Sequence, residues 1–281
     1  MRLSGQSIRQ IIHCPRPSSQ IDCRNLEVLP KAGQSEIGSR LVKFLILSDI
    51  HGNREALEAV LAHAQGKYDQ ILCLGDLVGY GADPNFAVDW ARAKVAAIVR
   101  GNHDREVSQG ASLDSYRQEA RDGILWTRQA LGASNLEYLS KLPQGPLAHE
   151  GMTLVHGSPL DEDSYLFTPP DVAPVWPHLK TQITFFGHTH RQGGFAAAPS
   201  GVTAIDPECV LEVHSDGLYL VNPGSVGQPR DGNWRAAYAL YSPEEQSIQF
   251  ARVSYNVGPT AEKIVLAGMP ATLAARLLMG M

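Results

Sequence analysis

The sequence predicts an α/β fold whose chemistry sits at the ends of its strands. Three observations lead there. From Leu41 onward, short apolar runs alternate with amphipathic stretches of helical length; each run stops abruptly at a polar, glycine-containing loop; and those loops carry Asp, Asn or His. In open α/β sheets the ligand site lies just beyond the strand ends, so such loops are candidate chemistry. At 281 residues and 43% hydrophobic content, the chain can bury one large core or two small ones.

The first strand runs from Val42 to Leu47 and breaks into Ser48-Asp49-Ile50-His51-Gly52-Asn53. Asp49 and His51 are two positions apart, so on extended chain their side chains leave the same face and can converge on one cation. The same pair also fits a turn carrying a surface histidine. Asn53 is placed to cap a helix reaching Gln65, with Ala56, Leu57, Val60 and Leu61 on one face. Gln70 to Leu74 is a second strand ending in Gly75-Asp76, and Asp83-Pro84 starts a second helix running to Lys94. Val95 to Val99 is a third strand, broken by Arg100-Gly101-Asn102-His103-Asp104.

Residues 105–150 depart from this rhythm, with helical stretches over 115–131 and 135–142, and read as an insertion packed beside the site. The strand-to-loop theme then returns twice, at Met152 to His156 and at Ile183 to His190, each ending in histidine. The remainder reads as antiparallel strands over 210–214, 218–221, 236–241 and 248–255, interrupted by Asn222-Pro223-Gly224-Ser225, with a helical segment over 260–281. Residues 1–40 stand apart. Arg2, Arg9, Arg16, Arg24, Lys31 and Arg40 are scattered among Ser, Gln and Pro without periodicity, the composition of a disordered extension or of translation from an upstream start codon.

A formal charge of −5 gives no basic footprint for nucleic acid or anionic membrane, so an anionic substrate must be met by local positive charge. No apolar run approaches the roughly 20 residues of a membrane span. The four cysteines lie far apart, which argues against a disulfide framework or thiolate zinc site and makes the reducing cytoplasm the expected compartment. Nothing in the sequence fixes an oligomeric state.

Taken together, the strand ends supply Asp49 and His51, Asp76, Asn102 and His103, His156, and His188 and His190. These blocks, D-x-H, G-D, G-N-H-D, an isolated H and G-H-T-H, resemble in content and order those of the calcineurin-like metallophosphoesterase superfamily, over about residues 41–255. The G-D-L-V-G-Y-G and N-P-G-S-V-G segments look most like its compact bacterial and archaeal phosphodiesterases.

The resemblance implies a four-layer αββα sandwich of two mixed β-sheets flanked by helices. It also implies two divalent ions, one held by Asp49, His51 and His190 and the other by Asn102, His156 and His188. Asp76 would bridge them, and His103 would protonate the leaving group. Two divalent ions roughly 3.5 to 4 Å apart share and acidify a water for in-line attack on a phosphoester and clamp its oxygens. Nitrogen and oxygen donors without thiolate suit Mn²⁺, Fe, Zn²⁺, Ni²⁺ or Co²⁺ better than Mg²⁺ or Ca²⁺.

The expected substrate is a phosphodiester or phosphomonoester, small molecule or nucleotide, with selectivity lodged in residues 105–150 and 160–180. Dinucleoside polyphosphates and phosphoproteins are the alternative substrates, and a metal-binding scaffold on the same fold is the alternative function. In the serine/threonine phosphatase branch a further Asp and an Arg follow the G-D block; here Gly79 and Tyr80 stand there, which counts against a protein phosphatase. Arg100, Tyr80 and Asn222 are candidate substrate contacts, and Arg230 is read as part of a solvated loop.

Overall fold

The computed structural model describes residues 42–281 other than 111, 115, 199 and 200, so the expectation for residues 1–40 lies outside the described residues. The elements in chain order are β1 (Phe44–Leu47), α1 (Arg54–Ala64), β2 (Gln70–Cys73), α2 (Pro84–Lys94), β3 (Ala97–Ile98), α3 (Asn102–Gln109), α4 (Gln118–Ala130) and α5 (Ala133–Ser140). Then follow β4 (Leu147–His149), β5 (Met152–Leu154), α6 (Pro169–Val172), β6 (Ile183–Phe185), β7 (Gln192–Ala198), β8 (Gly201–Ile205) and β9 (Leu211–Glu212). The chain closes with β10 (Leu218–Pro223), β11 (Ala236–Ser242), β12 (Ser247–Val253), α7 (Val257–Leu266) and α8 (Ala271–Met279).

Two mixed six-stranded sheets form, in the orders β3-β2-β1-β11-β12-β9 and β4-β5-β6-β10-β7-β8. Strand β1 shows why they stack. Its side chains alternate across the sheet, and both sets are apolar: Phe44 and Ile46 join Leu72, Leu74, Leu154, Phe185 and Val221 between the sheets, while Leu45 and Leu47 join the core under the helices. Truncating Ile46, fully buried between the sheets, to Ala would cost about 2–5 kcal/mol. The outer face of the second sheet carries Phe186, Phe195 and Leu220, covered by Leu166, Val172 and Val175; the fourth layer is therefore a thin one, α6 and its flanking turns.

Parallel pairing positions the site. In the first sheet Leu47 lies level with Cys73, and Cys73 with Ile98. In the second, parallel β5 and β6 set Leu154 beside Phe185. The loops after β1, β2, β3, β5 and β6 therefore emerge from two stacked sheets, and backbone hydrogen bonds join them: Asp49 N to Gly75 O (3.0 Å), His51 N to Asp76 O (2.9 Å) and Gly187 N to His156 O (2.8 Å).

Several sequence expectations are corrected in detail. Asn102 and His103 are not in an irregular loop but in the first turn of α3, whose N-cap is Gly101; the polar run had hidden this helix. Asn222 and Pro223 end β10 instead of interrupting a sheet, and β10 runs parallel to β6. The β7–β8 hairpin was missed because Gly193, Gly194 and a run of alanines carry little strand signal. Asn53 caps α1 as expected, accepting from Ala56 N at 3.1 Å, whereas the Asp83 carboxylate leaves the α2 terminus to pair with Lys263 at 2.7 Å. Among the described residues, no helix is long and apolar enough to cross a membrane.

Candidate metal centre

Asp49, His51, Asp76, His188 and His190 all have positive φ, between 49° and 64°. For residues with a Cβ this left-handed region costs roughly 1–2 kcal/mol each, so five such residues at neighbouring strand ends mark a site where geometry overrides backbone preference. Close backbone approach does the rest: a Cβ on Gly101 would stand 2.0 Å from Asp76 Oδ1, so only glycine lets the α3 N-terminus close against the Asp76 loop.

Two donor clusters result, and all their members are buried. Asp49, His51, Asp76 and His190 form one; Asp76, His156 and His188 form the other. Asp76 belongs to both, its Oδ2 lying 3.6 Å from His51 Nε2 and 3.4 Å from His156 Nε2. Asn102 points its Oδ1 at His156 Nε2 (3.1 Å), because its amide nitrogen donates to the Tyr116 hydroxyl at 2.9 Å.

The hydrogen bonds behind the rings fix which nitrogen faces inward. His51 Nδ1 faces the Val78 carbonyl at 2.8 Å, His156 Nδ1 that of Leu74 at 2.7 Å, and His190 Nδ1 that of Gln228 at 2.5 Å. His188 is turned the other way, with Nε2 toward the Asp163 carbonyl at 3.1 Å and Nδ1 toward His156. A ring nitrogen facing a carbonyl carries the proton, which leaves the inward nitrogen as a lone pair. His51 and His190 thus oppose two Nε2 lone pairs at 3.1 Å, and the unpartnered Asp49 Oδ1 lies 3.2 Å from the same His190 nitrogen. Electron-rich atoms facing one another without hydrogens fit a cation, and imidazole with carboxylate fits a divalent transition metal.

Electrostatics agree with this. Burial pushes the pKa of His51 and His190 well below the ordinary histidine value and His188 down to about 3, so these rings are neutral at pH 7, the form a metal ligand takes. His156 is the exception: burial acts in the same direction, but the adjacent Asp76 carboxylate outweighs it and holds the ring up at about 10, so this ring would have to release a proton to become a ligand.

A family model for calcineurin-like phosphoesterases matches residues 42–192, more than half the chain. The chain belongs to that family. An uncharacterised protein of Methanocaldococcus jannaschii is 35% identical over 240 residues, which cover 84% of this chain and 97% of that one. The crystal structure of a metallophosphoesterase from Sphaerobacter thermophilus is 38% identical, covers 86% of this chain and 100% of its own, and superposes with a TM-score of 0.76. A hypothetical protein from Pyrococcus horikoshii shares the fold at 19% identity, with a TM-score of 0.70 over 86% of this chain and 99% of its own.

The surroundings of the clusters in this phosphoesterase family member separate ligands from other residues. Of the five imidazoles in the motif loops, His103 is the one without a carbonyl behind it. Its backbone N donates to Asp76 Oδ1 at 2.9 Å, and its ring packs against Tyr80 (4.5 Å) and His51 (4.9 Å). The buried Nδ1 has no partner, and any Cβ at residue 79 would fall 2.3 Å from it. With the ring in this position only glycine fits at residue 79. Burial, followed by the Arg230 charge, brings His103 down to about 4.

Asp104, beside the motif, was not singled out from the sequence. It accepts from the backbone N–H groups of Asp76 (2.8 Å), Leu77 (2.9 Å) and Gly101 (3.0 Å), tying two of the loops together. Its place directly after Gly-Asn-His was the available signal.

The candidate substrate contacts rearrange. Arg100 is gripped by both oxygens of Glu162, at 3.0 and 3.1 Å, and Arg105 binds the same carboxylate, so Arg100 anchors a loop instead of facing a ligand. Arg230, read from the sequence as part of a solvated loop, lies with its guanidinium 5.4 Å from the Tyr80 ring, and its charge lowers the pKa of both His103 and His190. Asn222 is likewise a brace, donating to Gly187 O and Thr189 Oγ1, each at 2.9 Å, and accepting from Gly224 N. Ser225 holds the other side, donating to Asp49 O at 2.8 Å. Tyr80 is buried as a wall of the site beside His51 and His103.

His188 differs from the other cluster histidines in one respect: the carbonyl behind it belongs to Asp163, on the loop that Arg100 and Arg105 hold through Glu162. Glu162→Gln is therefore expected to weaken metal binding at the His156/His188 cluster by about 10- to 100-fold, with the other cluster little changed. Stepwise titration with a chromophoric chelator as competitor measures this. Equal weakening of both ions would show that the loop does not act through His188.

Proposed function

We propose that the protein is a dinuclear metal-dependent phosphoesterase that hydrolyses phosphodiester or phosphomonoester bonds. The observation that carries this reading is the sharing of one buried carboxylate, Asp76, between two clusters of inward-facing lone pairs. Asp49, His51, Asp76 and His190 would hold one ion, and Asp76, Asn102, His156 and His188 the other. Bound there, divalent ions such as Mn²⁺, Fe, Zn²⁺, Ni²⁺ or Co²⁺ supply charge neutralisation for phosphoryl oxygens and acidify water to a nucleophile near neutral pH.

The remaining work falls to the chain itself. Arg230 adds a positive charge at the rim, where a phosphate oxygen can meet it. Burial of every donor keeps bulk water from the reacting groups and strengthens these interactions. His103 is not committed to a carbonyl and stands beside Asp76; held down at about 4 in the unliganded site, it would take up a proton when an anionic phosphoester arrives beside it and deliver that proton to the departing oxygen. A scaffold that merely kept the fold would have no use for such a histidine.

The test is direct. Protein reconstituted with Mn²⁺, Ni²⁺, Co²⁺ or Zn²⁺ should turn over bis(p-nitrophenyl) phosphate or p-nitrophenyl phosphate, and chelation should abolish the turnover. Failure on a broad phosphoester panel with all four metals would overturn the reading.

A further inference from the structure

Soluble proteins bury most of their aromatic area, so an exposed aromatic cluster calls for an explanation. Among the described residues the exposed large aromatic side chains are Tyr165 and Phe167, at 46% and 44%. Tyr165 lies against the metal centre and Phe167 one ring further out. Tyr165 stacks on His188 with ring centroids 3.9 Å apart, and Phe167 stacks on Tyr165 at 5.2 Å with planes within 7°. Arg191, next in the chain after His190, places its guanidinium 4.9 Å from the Phe167 centroid.

The local sequence builds this platform deliberately. In Tyr165-Leu166-Phe167 the central leucine is buried in the core outside the second sheet, so on extended chain its two neighbours must face outward together. Both ends of the segment are fixed. Upstream, Glu162 is clamped by Arg100 and Arg105; downstream, Asp171 accepts from the backbone N–H groups of Phe167 (3.0 Å) and Thr168 (2.8 Å). A platform held in place before binding pays little ordering entropy when a ring settles on it.

We propose that Tyr165, Phe167 and Arg191 form a nucleobase subsite, so that the preferred substrates are phosphoesters of nucleosides. This rests on the phosphoesterase reading of the same site. The spacing favours a nucleoside over a simple aryl ester. A ribose between phosphorus and base sets the base outward from His188 along the exposed Tyr165–Phe167 pair, where it would take the place on the Phe167 face that the Arg191 guanidinium now occupies at 4.9 Å, with Arg191 moving out to cover it. Stacking on an aromatic face accepts any base, which predicts breadth among nucleosides and discrimination against ligands without a base. Tyr80, a candidate substrate contact from the sequence, is buried and cannot serve as this platform.

Calorimetric titration of the metal-loaded full-length protein tests this with three phosphonates that cannot be hydrolysed: the analogues of AMP, of ribose 5-phosphate and of phenyl phosphate. The AMP analogue should bind about tenfold more tightly than the ribose analogue. Phe167→Leu should remove that preference, and Phe167→Trp should keep it; the side chain is exposed, so neither change threatens folding. Equal affinities in the wild type, a preference that survives Phe167→Leu, or a phenyl analogue that binds as well as the AMP analogue would each overturn the proposal. The two readings fail separately. A base preference without any phosphoester turnover would leave the subsite standing and remove the phosphoesterase reading, while turnover without base preference would do the reverse.

Discussion

Asp76→Asn is expected to release both ions and to lower kcat/KM by about 10³-fold or more, the scale of losing metal-based charge stabilisation worth several kcal/mol. The expectation follows from the position of one atom. Asp76 Oδ2 faces His51 Nε2 on one side and His156 Nε2 on the other, so neutralising it removes the shared anionic donor of both clusters. The amide also brings N–H donors into a space lined by lone pairs. Elemental analysis of the purified variant after metal loading measures the result. Retention of one ion at full occupancy would mean that the carboxylate serves a single cluster.

His103→Ala is expected to lower kcat by about 10²- to 10⁴-fold, the usual contribution of a positioned acid or base, while both ions remain bound. His103 shares no ring contact with a ligand atom of the clusters other than packing on His51, and the residue anchors to Asp76 through backbone N–H, which alanine retains. The size of the defect should depend on the leaving group. A p-nitrophenolate departs without help, so its ester should lose least; an alkoxide needs a proton, so an alkyl ester should lose most. A uniform loss across leaving groups, with metal content intact, would assign His103 a role other than proton delivery.

Much of the metal centre was legible in the sequence, because it is made of short blocks whose residue types are demanded by chemistry. Asp49-x-His51 can be read as a converging pair from spacing alone, whereas His188-x-His190 divides between the two clusters, and each block stands after a strongly apolar strand. What joins the blocks was not legible from spacing. That β1, β2 and β3 end level, and that β5 and β6 bring their loops to the same place from a second sheet, is decided by packing between the sheets over long sequence separations.

The rim was harder to read, for a different reason. Arg100 sits inside a motif but is neutralised by Glu162, 62 positions later, while Arg230 follows a glycine-rich turn with no local mark of function yet lies over Tyr80. Charge partners distant in sequence decide which arginine faces the site, and periodicity carries no information about them. Tyr165 and Phe167 show the same limit: their alternation with Leu166 is a weak strand pattern, and only the burial of Leu166 turns it into an exposed pair. Asn222 was ambiguous in sequence because Asn-Pro-Gly is a turn signal in any protein; its three hydrogen bonds make it a brace between the β10 end and the Gly187–Thr189 loop.

Anomalous diffraction from crystals soaked in Mn²⁺ tests whether two cations share Asp76. Two peaks are expected on either side of the Asp76 carboxylate, one among Asp49, His51 and His190, the other among Asn102, His156 and His188. A single peak at saturating Mn²⁺, or a second peak away from Asp76, would contradict it.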